Sequence, residues 1–278
     1  MDIATVKTAV TEFENYLWNE EKSPATVEKY VRDACVFCEY LKDRPVCKEE
    51  VIAYKKQLVQ RYAAASTNSM LVSLNCFLRF VKAEDCCVKL LKIQRQIFCR
   101  EDKMLTKAEY QRLVRAADST RLSLVIQTIC GTGIRVSELK YITVEAVKTG
   151  KAAVDCKNKS RVIFIPGRLK KLLKEYAGRA GITAGPVFIT RNKKPLDRSN
   201  IWREMKTLCS RAGVPASKVY PHNLRHLFAR TFYSLEKDIV RLADLLGHST
   251  INTTRIYTAE TGDNHLSRLD RVQKMLTT

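Results

Sequence analysis

Four side chains near the C-terminus are of the types that attack a phosphodiester without a metal. His222 and Arg225 stand three residues apart in PHNLRH, and His248 and Tyr257 follow in LLGHSTINTTRIYT. On a helix a spacing of three puts both side chains on one face, so the donors of His222 and Arg225 converge on one anionic group. His248 directly follows Gly247, which is placed to end the amphipathic run DIVRLADLLG and to leave His248 in the turn. Ser249 or Thr250 is then the candidate cap of a short helix carrying Tyr257. That break matters. Nine residues of unbroken helix would turn roughly 900° and point His248 and Tyr257 to opposite sides. Tyr257 is the candidate nucleophile. Its phenol, with a reference pKa of about 10, needs neighbouring cations to favour phenolate.

Arg225 and, upstream, Arg135 in GTGIRVSEL are candidate phosphate clamps. A guanidinium stays charged and matches phosphate oxygens with a planar fork, which suits the charge that develops on pentacoordinate phosphorus. Glu138, three residues beyond Arg135, is read as the group that orients it rather than as a competing surface partner. His222 is a candidate general acid/base or donor, and His248 a second donor. The chain has four histidines, and three of them, with His226, fall within 27 residues. His226 is assigned to packing and His265 to no role. No Asp/Glu cluster suited to catalytic Mg²⁺ is evident, so no metal and no cofactor are expected.

These side chains need a folded scaffold, and the composition allows one. The chain has 278 residues, 45% of them hydrophobic, and a net charge of +20 with a pI of about 9.6. Residues 1–103 hold 17 Lys+Arg against 15 Asp+Glu, whereas residues 104–278 hold 32 against 14. The excess in the second part is a footprint for a polyanion, with nucleic acid the first candidate over a merely solubilising surface. The ten cysteines lack a paired C-x-x-C set for zinc and read as buried free thiols of a reducing cytosol. Neither a signal pattern nor an apolar run of membrane length is present, so a soluble, cytoplasmic protein is expected.

Residues 1–92 carry helical periodicity throughout. The stripe Val6, Val10, Phe13, Leu17 comes first. Ser23-Pro24 opens a second helix, Lys48 to Tyr62 forms a third, and Ser66 or Thr67 caps a fourth. A short piece follows around Cys86 to Leu91. Residues 93–103 are charged and aperiodic and read as a linker. From residue 104 the pattern resumes. Thr106 and Glu109 make a capping box, and RLSLVIQTICGTG reads as a buried helix ending in glycines. KAAVDC and RVIFIP form a β-hairpin joined by the basic KNKS. A helix from Leu169 to Ala180, the extended PVFIT and the helix SNIWREMKTLCSRAG precede the motif region, and the amphipathic HLSRLDRVQKML ends the chain.

The order H-x-x-R, L-G-H and a Tyr nine residues on, with GTGIRVSEL about 85 residues upstream, resembles the tyrosine recombinases, or phage integrase family. The likeness runs from about Lys103 to the end and more weakly through the N-terminal third, where SPATVEKYVR resembles the family's core-binding domain. It implies a mainly α fold with a small β-sheet: a helical core-binding, DNA-clamping domain over 1–92, the linker, and an α+β catalytic domain over 104–278. It implies cleavage and rejoining of DNA strands through a 3′-phosphotyrosyl link on Tyr257, in integration, excision or resolution. The family places its general acid, a lysine, on the hairpin. Its tip commonly reads K-G-N-K, and this chain lacks the Gly; Lys157 is preferred as the acid, with Lys159 and Arg161 as contacts to the DNA backbone. The catalytic set is then Arg135, Lys157, His222, Arg225, His248 and Tyr257. The length leaves room for the two core domains, as in simple Xer-like recombinases and small mobile-element integrases. The likeness also implies a homotetramer on two DNA sites, with the C-terminal helix docked in a neighbouring subunit rather than folded back, in the nucleoid of a prokaryote or on a mobile element. Type IB topoisomerase-like relaxation and an inactive DNA-binding accessory protein are the alternatives.

Overall fold

The computed structural model describes residues 3–42, 44–93, 101–117, 119–156, 159–257 and 270–276. The chain divides into two compact units, Met1–Arg95 and Gln96–Thr278. Most of the expected linker, residues 94–100, lies outside the described residues. The fold is mainly helical with one two-stranded sheet.

The first unit packs α1 (Ile3–Asn19), α2 (Pro24–Leu41), α3 (Lys48–Arg61) and α4 (Ala64–Phe80) around Phe13, Leu17, Phe37, Leu71, Leu74 and Leu78. Pro24 opens α2 where its missing N–H is harmless. α4 starts three residues before Thr67, one of its two expected caps. Thr67 is instead fully buried, and its hydroxyl donates to Leu58 and Tyr62 carbonyls at 3.4 Å each. The piece after α4 is one short 3₁₀ turn, Glu84–Cys86, followed by chain without regular structure. Two α4 amides hold that chain as a strand would. Asn75 pairs with Val88 and Asn68 with Leu91, each through one N–H donated and one accepted at 2.7–3.0 Å.

The second unit contains α5 (Lys107–Ala116), α6 (Thr120–Thr132), a 3₁₀ stretch Val136–Tyr141, α7 (Val144–Thr149), β1 (Lys151–Cys156), β2 (Lys159–Phe164) and α8 (Gly167–Arg179). α9 (Arg198–Thr207), α10 (Cys209–Ala212), α11 (Pro221–Glu236), α12 (Ile239–Leu246) and α13 (Ile251–Thr254) follow, with a 3₁₀ turn over Arg255–Tyr257. The capping box at α5 forms as its spacing dictates: Thr106 Oγ1 accepts the Glu109 N–H and Glu109 accepts the Thr106 N–H. α9 and α10, expected as one helix, are interrupted at Leu208. α6 and α11 lie side by side on a core that includes Ile126, Ile129, Ile134, Leu173, Phe188 and Leu224. β1 and β2 pair antiparallel from Lys151 with Phe164 to Cys156 with Lys159, so the connection is residues 157–158, outside the described residues. Ala152, Val154 and Ile163 turn one face of this hairpin into the core.

Eight of the cysteines, those whose side chains are described, are free thiols, but each is half-buried rather than fully buried as expected. Among the described residues no helix is long and apolar enough to cross a membrane. Residues 270–276 of the expected C-terminal helix are helical, and its earlier part lies outside the described residues.

Candidate active site

α11 carries His222 and Arg225 in adjacent turns, and α12 ends just before His248. Gly247 ends α12 at a φ of +62°, where a Cβ would be strained, and its N–H and that of His248 return to Asp244 and Ala243 carbonyls. α13 and the 3₁₀ turn then bring Tyr257 back against α11. The expected break therefore exists, and it faces His248 toward Tyr257: the two rings stack with centroids 5.9 Å apart and planes 16° apart. Thr250 is the residue at the cap position, although its side chain makes no capping bond.

Arg225 is 1% exposed. Its Nη1 donates to the Gly133 carbonyl at 2.6 Å, and its Nη2 to the Leu246 carbonyl at 2.7 Å and to His248 Nε2 at 3.0 Å. Gly133 ends α6 at a φ of +66°, and a Cβ there would lie 2.3 Å from the Phe228 ring of α11. Only glycine lets α11 approach closely enough for Arg225 to reach that carbonyl. Burial and the charge of Arg135 bring the Arg225 pKa down to about 10, against a pull upward from nearby Tyr257. It remains a cation at neutral pH.

Arginine only donates, so His248 Nε2 accepts, and the ring proton sits on Nδ1, which donates to Thr254 Oγ1 at 2.9 Å. Burial, then the charges of Arg225, Arg135 and Arg161, push the His248 pKa down to about 4, consistent with this neutral tautomer. A donor role toward phosphate requires a proton on Nε2 that this arrangement lacks. His222 is an exposed residue, yet desolvation, then the charges of Arg225 and Arg135, lower its pKa.

Tyr257 is 3% exposed and packs with Ala229, Leu242 and Leu246. His226, assigned to packing, does pack, and its place is inside the cluster. Its ring meets His222 with centroids 4.6 Å apart and Tyr257 edge-on at 4.7 Å. Burial and neighbouring His222, Arg230 and Arg225 bring its pKa down to about 4.

Glu138, 1% exposed, takes a different set of donors. Oε1 accepts Arg135 Nη1 at 3.0 Å, and Oε2 accepts the Arg135 backbone N–H at 2.8 Å. The Arg135 side chain itself is 42% exposed. Burial raises the Glu138 pKa, but the Arg135 N–H and the Arg161 and Arg135 charges outweigh it and leave the carboxyl below its usual range.

Arg161 departs from expectation. Expected on the DNA backbone, its side chain is only 14% exposed and turned inward, with Nη2 on Glu138 Oε2 and Nη1 on the Leu245 carbonyl, both at 2.5 Å. The signal was its alternation with Ile163 and Ile165, both buried, which puts residue 161 on the core face of β2. Lys157 lies outside the described residues, and Lys159 stands on β2 opposite Cys156. Thr254, which orients His248, went unnoticed because a threonine in a polar run carries no distinguishing pattern.

Three successive carbonyls at the end of α12 thus face three arginines: Leu245 meets Arg161, Leu246 meets Arg225, and Gly247 faces Arg135 Nη2 at 3.5 Å. The last carbonyls of a helix have no partner of their own and carry the negative end of its dipole, so guanidinium groups satisfy them twice over.

Known proteins resemble this chain in sequence and in fold. The model of the phage integrase family matches residues 103–263, and that of the phage integrase N-terminal SAM-like domain matches residues 10–85. The tyrosine recombinase XerA of Pyrococcus furiosus is 29% identical over 271 residues, covering 94% of this chain and 92% of its own. The tyrosine recombinase XerC of Lactobacillus delbrueckii subsp. bulgaricus is 27% identical over 280 residues, covering 89% and 92%. Among solved structures, a lambda integrase dimer bound to a COC′ core site superposes with a TM-score of 0.74 at 19% identity, over 90% of this chain and 94% of that one. The crystal structure of XerA recombinase gives 0.52 at 24% identity, over 98% and 99%. With one family model spanning over half of the chain and the family's N-terminal domain matched ahead of it, this chain belongs to the phage integrase family.

Proposed function

We propose that the chain is a site-specific DNA recombinase that cuts and rejoins strands through Tyr257. The observation that carries this reading is an unbalanced charge beside a tyrosine. Arg135 and Arg161 share one carboxylate, Glu138, Arg225 lies on carbonyls beside them, and the Arg225 Nε has no hydrogen-bond partner among the described residues. A phosphate is the anion that such a cluster awaits.

In this scheme the Tyr257 oxygen forms a bond to phosphorus and the bond to the 5′-oxygen breaks. His222 takes the phenol proton, and Lys157 gives one to the leaving 5′-hydroxyl. Arg135 and Arg225 hold the non-bridging oxygens. The phosphate raises the His248 pKa, so His248 gains its Nε2 proton and becomes a donor. Tyr257 must leave its apolar pocket for in-line attack, which ties cleavage to DNA engagement. A second strand's 5′-hydroxyl reverses the chemistry, and bond energy is conserved without ATP. The helical domain is the DNA clamp. The relatives are named as recombinases, which favours strand exchange over relaxation, and DNA in the cytoplasm is the expected substrate.

The expected homotetramer draws support from Val272, Met275 and Leu276, which are 51%, 88% and 78% exposed. A neighbouring subunit that takes up this stripe gives a head-to-tail interface that closes into a ring. Deleting residues 264–278 should leave single-site binding intact and abolish paired-site complexes on native gels. A free monomer that instead melts much earlier means that the tail packs on its own domain.

The direct test uses a nicked suicide duplex carrying a site selected with the wild-type chain from random DNA. Wild type should form a covalent adduct, and Tyr257→Phe, which keeps the ring, should bind the duplex and form none. An inactive accessory protein gives no adduct with either. Adduct from the Phe variant removes Tyr257 as nucleophile.

A further inference from the structure

We infer that Arg161 is a positioning residue that fastens the β-hairpin to the phosphate clamp, and that it does not touch DNA. The inference rests on the recombinase reading of the same site. Its two 2.5 Å bonds join three separate pieces: β2, which carries Arg161; the 3₁₀ stretch that carries Glu138; and the end of α12, from which His248 springs. A second link runs parallel to it, as Tyr141 donates to the Asp155 carbonyl of β1 at 2.6 Å. The path for the Arg161 side chain is built in as well. A Cβ on Gly247 would lie 2.6 Å from Arg161 Cδ and 2.9 Å from its Nε, so the bare glycine leaves the channel that the arginine fills.

The chemical consequence follows from rigidity. Glu138 sets Arg135, and α12 sets His248, so the Arg161 guanidinium, with the Tyr141 link beside it, holds the β-hairpin to both. A fork can hold a carboxylate and a carbonyl together; an ammonium is a point charge without that planar reach. Without Arg161, Glu138 keeps only Arg135 as its ionic partner among the described residues, and the Leu245 carbonyl loses its cap.

The test separates this from a phosphate contact. With the full-length chain and the nicked duplex above, Arg161→Ala should slow single-turnover adduct formation at saturating protein by about 100-fold, the scale of a small misplacement in an active site. Half-saturation should stay within about threefold, and the salt slope of binding should not change, whereas losing one phosphate contact lowers that slope by about 0.9. Arg161→Lys should recover only a small part of the rate. Normal cleavage overturns the inference, and so does a salt slope reduced by one contact. The salt slope decides the inward role even when no adduct forms, whereas absence of adduct from wild type counts against the recombinase reading instead. If Arg161→Ala does not melt cooperatively, Arg161→Met is the second variant, because it keeps the aliphatic stem in the channel, loses both bonds and should slow cleavage likewise.

Discussion

In the N-terminal unit Asp33, 6% exposed, receives Lys29 Nζ at 2.5 Å and Ser73 Oγ at 2.5 Å, and Lys29 also reaches the Ser69 carbonyl. In the C-terminal unit Glu138 is shared by two arginines, and a third, Arg225, is buried on carbonyls beside them. The first arrangement is closed: one carboxylate ties α2 to α4 with donors from both. The second is open, since Arg225 has no carboxylate partner among the described residues and Arg135 is left facing solvent. A buried charge that is matched supports the fold, and a cluster left short of anion is poised for a ligand.

The largest effect expected from this contrast comes from the open cluster. Arg225→Lys and Arg135→Lys should each slow adduct formation by about 100-fold or more, because a point charge replaces a fork at the developing phosphorane. They should part in thermal melting. Arg225→Lys leaves the Gly133 or Leu246 carbonyl without its charged donor and should cost about 1.5–3 kcal/mol, while exposed Arg135→Lys should barely change stability. Wild-type cleavage by Arg225→Lys would make its burial merely structural, like that of Asp33.

Next comes the hairpin tip. Lys157→Ala should cripple cleavage of an ordinary 5′-oxygen leaving group, and a 5′-bridging phosphorothiolate, which leaves without a proton, should rescue it. Lys159→Ala should cleave nearly as wild type and bind more weakly. The reverse pattern moves the acid to Lys159.

In the closed cluster Asp33→Asn should lower stability by about 1.5–3 kcal/mol through its charged hydrogen bonds, with the adduct rate per folded molecule unchanged. A catalytic defect that exceeds the loss of folded protein would show that this pair also serves the reaction.

The smallest effect is a pH dependence. His226 and His248 have folded pKa values of about 4 against an ordinary 6.5. Between those values the unfolded chain binds protons that the folded chain refuses, so stability is full above about pH 6.5 and falls as pH drops toward 4. Melting temperature followed over that window should fall, and less steeply in His226→Gln. An equal slope in the variant would mean that His226 is not neutralised by its surroundings.

Much of this was readable along the chain where a residue's partner lies within one turn. Thr106 and Glu109 cap α5 as their spacing requires, Ser23-Pro24 opens α2, and Gly247 stops α12. Thr67 shows how that reading fails. Its hydroxyl had a partner available in the carbonyls that close α3, so burial claimed it and the helix began earlier, at Ala64. Arg161 was legible in its alternation with Ile163 and Ile165, but its position near a basic turn suggested solvent.

The residue types, their order and the glycine breaks were therefore present in the one-dimensional chain, because caps and turns are satisfied by neighbours three or four positions away. The partners of the arginines were not. Arg225 reaches a carbonyl 92 positions away, Arg161 one 84 away, and Arg135 faces one 112 away. Which carbonyl a guanidinium meets depends on how α6, α11, α12 and β2 pack, and no local spacing encodes that meeting. Packing alone turned the orphan end of α12 toward all three, and so converted scattered cations into a single site.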